Sequence, residues 1–163
     1  MPQKNRTRED YLGRKFVITR EFTAPRDLVF RAWTDARHLA QWWGPRGFTN
    51  PICDWDPAPG NAIHVVMRAA NGTDYPMGGE FREIAAPERL VFTSGALDEN
   101  GKLLFEFLHT VTFAERKSGT LLTIRSEVIK TTPDANKYIG GFEAGMTQSL
   151  VRLEEYLAAA GSR

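Results

Sequence analysis

The sequence predicts an α+β domain in which a curved, seven-stranded antiparallel sheet wraps around one long C-terminal helix. Three observations predict it. A first strand pattern is followed at once by two short amphipathic helix patterns, together residues 15–43. The period then changes to that of strands through six further segments divided by turn chemistry. A single long helical stripe closes the chain.

Each element has a local cause. KFVITREF, residues 15–22, alternates as a strand. Pro25 opens a helix because its φ is already helical and it has no N–H to waste, and Asp27 suits the positive N-terminal end. Leu28, Val29, Ala32 and Trp33 share one face of that helix. Asp35 can cap a second helix carrying Leu39, Trp42 and Trp43, which Gly44-Pro45 stops. Residues 48–55, 61–69, 76–85, 88–94, 103–115 and 120–130 then alternate or run apolar. DPAPGN, ANGTD, APE, DENGK and RKSG separate them, and links so short favour antiparallel neighbours. Thr132-Pro133-Asp134 reads as a helix start, followed by Tyr138, Phe142, Met146, Leu150, Leu153 and Leu157 at three- and four-residue steps.

A strongly twisted sheet curves away from a straight helix, so a gap is expected between them. Gly140, Gly141 and Gly145 stand out because each costs about 1 kcal/mol against alanine inside a helix. Three readings fit: close approach of helix to sheet, a kink at Gly140-Gly141 that gates the cavity, or a loop-to-helix boundary near Phe142.

The 163 residues suit one domain, expected over 15–160 after a flexible tail at 1–14, that buries roughly 70% of its unfolded-chain surface. The basic stretch at residues 3–8 reads as a solvated part of that tail. A net charge of +1 supplies no field to steer nucleic acid or acidic lipid, so neither is expected as a partner. No apolar run of membrane-spanning length and no signal-peptide core occur, and a lone Cys53 forms no intrachain disulfide. A cytoplasmic location is the expectation.

The chain resembles one family throughout residues 15–160. TREFTAPRDLVFRAWTDARHLAQWWGP, DWDPAPGNAIHVVM, GGEFREIAAPERLVFT, HTVTF, GTLLTI and GGFEAGMTQSLVRLEEYL, in that order, carry the resemblance. It is to the activator-of-heat-shock-ATPase-homologue-like branch of the SRPBCC superfamily, with the helix-grip fold shared by START lipid-transfer domains and the birch-pollen allergen. Two positions depart from that pattern: Gly60-Asn61 replaces a Gly-Gly pair, and Gly141-Phe142 replaces Gly-Trp. The smaller Phe142 is expected to enlarge the cavity at that point. The resemblance implies a fold and a cavity but no particular ligand. The chaperone-stimulating role of the eukaryotic namesake uses an additional N-terminal domain, so that role carries over only weakly.

Alternation assigns the inward faces. Ile63, Val65 and Met67 share one, as do Phe105, Phe107, His109, Val111 and Phe113, and Leu122, Ile124, Ser126 and Val128. Phe81, Phe92, Phe142, Met146 and Leu150 add to an interior rich in aromatic residues and methionine. Composition alone fits a filled core; the resemblance favours a hydrophobic pocket, with Trp42 at its rim. His109 is the one ionisable group on an inward face, and a buried neutral imidazole is its default state. Glu83 shares the parity of Phe81 and is expected to meet Arg125 or a ligand, while Tyr75 and Met77 flank Pro76 in a loop at the cavity mouth. His38, His64 and His109 are scattered and Cys53 stands alone, so no metal or other cofactor is expected. Cys53 would be a nucleophile only with a histidine beside it in space.

Three functions follow from these readings. The leading one is binding of a small hydrophobic molecule, lipid-like or polyketide-like, between the long helix and the sheet. An enzyme of cyclase or hydrolase type would need His109, Glu83, Arg125 and Tyr75 to converge on that cavity. A cochaperone-like interaction module would need Trp42-Trp43 exposed as an anchor. A homodimer through an edge strand or the tryptophan pair is also allowed.

Overall fold

A computed structural model describes residues 11–133 and 135–161. The basic stretch at 3–8 and the Asp134 end of the expected helix cap lie outside the described residues. The order is β1 (Lys15–Phe22), α1 (Arg26–Thr34), α2 (Ala36–Trp42), β2 (Thr49–Asp54), β3 (Ala62–Arg68), β4 (Asp74–Ala85), β5 (Arg89–Ala96), β6 (Glu106–Arg116), β7 (Gly119–Lys130), α3 (Asn136–Gly140) and α4 (Phe142–Gly161). The strands form one sheet in the order β1-β7-β6-β5-β4-β3-β2, and every neighbouring pair is antiparallel. This is the helix-grip fold. The helix pair α1–α2 carries the chain from β1 at one edge to β2 at the other.

The local signals act largely as expected. Pro25 takes the capping position just before α1 rather than its first turn, with extended ψ of 153°. Asp35 caps α2 by accepting the Arg37 N–H at 2.9 Å. Residues 11–14 turn back onto β7, with Gly13 N–H donating to Val128 O at 2.8 Å and Val128 N–H to Arg14 O at 2.9 Å. The C-terminal helical stretch is broken at Gly141, whose φ of −95° and ψ of 0° separate α3 from α4.

Two expectations change. Tyr75, Pro76 and Met77 lie within β4, not in a loop, because pairing with β3 extends back to Asp74↔Arg68. A bulge in β4 sets Phe81 opposite Phe92 but Glu83 opposite Val91, and this extra residue turns Glu83 outward. There it bonds Arg89 rather than Arg125.

The helix pair fills one end of the space between sheet and α4. Trp33 and Trp42 are wholly buried, with ring centroids 4.9 Å apart, and Trp42 Nε1 donates to Ala32 O at 3.0 Å. Trp55 Nε1 donates to Trp33 O at 2.7 Å, and its ring lies 5.0 Å from Phe81 and 5.1 Å from Phe92. Such edge-to-face pairs add roughly 0.5–1.5 kcal/mol each beyond area burial. The aromatic plug is solid here, and the vacancy lies farther along the sheet.

Candidate functional site

The vacancy has a volume of about 370 Å³ and sits where the α3–α4 corner faces β3–β6. One wall is the loop after α2, with Trp43, Gly44, Pro45 and Phe48. The opposite wall is Tyr138, Phe142, Gly145 and Met146 of the helical corner. The sheet supplies the floor through Met67, Met77, Ser94, Phe105, Phe107 and His109. Exposed Tyr75 and Lys137 mark the mouth.

The loop wall is tied to α4 by polar side chains. The Arg152 guanidinium donates to the carbonyl oxygens of Gln41, Trp43, Gly44, Pro45 and Phe48 at 2.8–3.3 Å. A cation there also meets the negative C-terminal end of α2. Burial, then Arg46 beside it, pulls the Arg152 pKa down. A guanidinium stays charged nonetheless. Ser149 Oγ accepts from Gly44 N–H at 3.1 Å and donates to Gly145 O at 3.1 Å. Gln148 accepts from Arg46 N–H, and the Arg46 guanidinium forks onto Glu155.

His109 is the polar centre of the floor. It is 1% exposed, with Nε2 2.7 Å from Ser94 Oγ and Nδ1 2.7 Å from Ser126 Oγ. Ser126 of β7 stands directly opposite His109 of β6, while Ser94 of β5 reaches it diagonally, its own register partner being Phe107 and that of His109 being Phe92. Phe107 stacks on the imidazole at 5.4 Å, Phe142 at 5.7 Å, and Phe92 tilts against it at 4.8 Å. Burial pushes the His109 pKa down to about 3, so the ring is neutral at physiological pH.

The family model described as "Activator of Hsp90 ATPase homolog 1-like protein" matches residues 23–158. The chain belongs to this family. Among curated proteins, none matches it. A crystal structure of the AHSA1 protein from Silicibacter pomeroyi is similar at 25% identity and TM-score 0.77, over 90% of this chain and 99% of that one. A solution structure from Arthrobacter aurescens is 27% identical with TM-score 0.77, covering 92% and 88% of the two chains. A protein from Nitrosomonas europaea is 27% identical with TM-score 0.75, covering 91% and 97%.

Within this family member, Met67, Met77, Phe105, Phe107, His109, Phe142 and Met146 stand on the cavity wall. Trp42, Ile63, Val65, Phe81, Phe92 and Leu150 do not. They are buried in the core beneath the helix pair and α4, because the tryptophan plug fills that end of the sheet's inner face. Trp43 takes the wall position in place of Trp42. It follows the last residue of α2 in extended conformation, with ψ of 135°, so its ring leaves the helix in a different direction. Ser94 carried no sequence signal of its own; its parity with Phe92 and its place beside His109 could have drawn attention to it.

The proposed catalytic set does not assemble. Glu83 and Arg125 are solvent-exposed and away from the cavity wall, which holds only His109 and Tyr75 of the four. Cys53 is half-buried against the core, and burial followed by the Asp54 charge raises its thiol pKa to about 11. A thiol so protonated is a poor nucleophile. Among the described residues no group of three or more His, Cys, Asp or Glu could hold a metal ion, and no helix is long and apolar enough to cross a membrane.

Proposed function

We propose that this protein binds a small apolar molecule in the cavity between the α3–α4 corner and the concave sheet. One observation carries the reading: a vacancy of about 370 Å³ walled chiefly by Trp43, Phe48, Met67, Phe105, Phe107, Phe142 and Met146. Ligand sites typically occupy about 300–1,000 Å³, so the occupant is a compact molecule. Well-packed interiors leave few voids larger than a water molecule, and this one adjoins solvent at Tyr75 and Lys137. Burial of aromatic walls against a ligand supplies the affinity.

The family description suggests chaperone stimulation as a second reading. An anchor at the tryptophan pair does not support it, since Trp42 is 0% and Trp43 5% exposed. A cyclase or hydrolase reading loses its acid-base set with Glu83 and Arg125 off the cavity wall.

Thermal unfolding with a library of compact hydrophobic compounds tests the binding reading. A ligand at 100 times its Kd is expected to stabilise the fold by about 2.7 kcal/mol. Gly145→Leu, which sends a side chain from the helical wall into the cavity, is expected to abolish the shift. A library without a single stabilising compound, or shifts that persist unchanged in Gly145→Leu, would overturn it.

A further inference from the structure

On the cavity floor the tautomer of His109 sets which way the Ser94 hydroxyl can donate. Ser126 Oγ is 2% exposed, lies off the cavity, and has His109 Nδ1 as its hydrogen-bond partner. If Nδ1 carried the proton, the Ser126 hydroxyl hydrogen would be orphaned inside the sheet. An orphaned buried donor costs about 1–3 kcal/mol. Ser126 therefore donates to Nδ1, and the neutral imidazole carries its proton on Nε2. Nε2–H in turn donates to Ser94 Oγ, 2.7 Å away. The Ser94 oxygen is then an acceptor from the ring, and its own hydrogen points elsewhere. Ser94 lines the cavity, so the cavity is where that hydrogen goes.

Of the other polar side chains on the wall, the Trp43 indole and the Tyr138 phenol belong to the aromatic walls, and the remaining four differ from Ser94. Ser149 spends its hydrogen on Gly145 O. Tyr75 and Lys137 are exposed at the mouth. His109 offers neither nitrogen to a ligand, because both are occupied by serines. Around Ser94 the surface is Phe105, Phe107, Met77 and Phe142.

We propose that the ligand is an uncharged, largely apolar molecule with one carbonyl-type acceptor, and that the Ser94 hydroxyl donates to this oxygen. The inference rests on the binding function proposed above and names the ligand class for that site. A buried carboxylate fits poorly, since a charge taken out of water needs a partner and the cation at this cavity, Lys137, stands at the exposed mouth. The chain Ser126→His109→Ser94→ligand has a fixed direction, and each donor polarises the next.

Benzophenone and diphenylmethane are the probes, because they share a shape and differ by a carbonyl oxygen in place of two hydrogens. The carbonyl is better hydrated in water, so tighter binding of the ketone requires a donor in the cavity. Titration by tryptophan fluorescence, with Trp43 on the wall as reporter, is expected to give benzophenone a Kd about tenfold below that of diphenylmethane. The infrared carbonyl stretch of bound benzophenone is expected to move to lower wavenumber. Ser94→Ala is expected to erase both the Kd ratio and the infrared shift, and Ser94→Thr to keep both. The infrared shift in the unaltered protein decides the matter should Ser94→Ala not fold. Equal binding of the two probes without an infrared shift overturns the acceptor inference and leaves the apolar cavity standing. Binding of neither probe, together with a compound library that gives no stabilisation, overturns both.

Discussion

Arg152 Nη1 lies 2.8 Å from the carbonyl oxygen of Gly44, and that contact joins one wall of the cavity to the helix that faces it. The same guanidinium reaches four more carbonyls of the α2 end and the following loop. It thereby satisfies groups that the end of a helix leaves without partners.

Arg152→Ala is expected to lower stability by about 2–4 kcal/mol, because several carbonyls lose a charged donor at once. Arg152→Lys is expected to recover less than half of the loss. An ammonium has three donors on one point and cannot span the arc from Gln41 to Phe48. Urea denaturation of the three proteins measures this; full recovery by lysine would show that charge alone matters there.

Two cavity-lining glycines are expected to respond in opposite directions. A Cβ at Gly95 would lie 1.7 Å from Phe105 O, within backbone that β5–β6 pairing holds in place. Gly95→Ala is therefore expected to cost at least about 3 kcal/mol. At Gly145 the Cβ would meet Pro45 Cγ at 3.8 Å, an ordinary contact. Gly145→Ala is expected to raise stability by about 0.5–1 kcal/mol through helix propensity. Thermal unfolding of both variants checks the contrast.

The buried imidazole predicts an acid-sensitive fold. His109 takes a proton near pH 6.5 when unfolded but only near 3 when folded, because burial penalises its charged form. Its stabilising contribution is complete above pH 6.5 and is lost as pH falls toward 3, at about 1.4 kcal/mol per pH unit. The Asp35 carboxyl, held down to about 2 by its hydrogen bond to Arg37, adds its own loss only below pH 3.8. His109→Gln should therefore flatten the stability profile between roughly pH 6.5 and 5, whatever it costs at neutral pH. Denaturation midpoints across that range supply the check; parallel profiles for the two proteins would contradict the neutral imidazole.

The fold was legible because its signals are local. Alternation placed Phe105, Phe107, His109, Val111 and Phe113 on one inward face, and all five are buried. Asp35, the turn residues and the change of period from 3.6 to 2 marked the elements within a few residues of their ends. Glu83 escaped this logic. Parity counting assumes an unbroken ladder, and one extra residue in β4 reverses every face beyond it.

By itself the sequence determined the architecture, the family and the apolar character of the interior, since each follows from the period and chemistry of neighbouring residues. Only the tertiary structure decided where that interior is solid and where it is open. Trp33, Trp42 and Trp55 fill one end, so Ile63, Val65, Phe81 and Phe92 are core, while the break at Gly141 and the Arg152-tied loop hold the other end apart. The Ser94–His109–Ser126 row was hidden for the same reason. Its members lie 15 and 17 residues apart in the chain and meet only through the register of three strands.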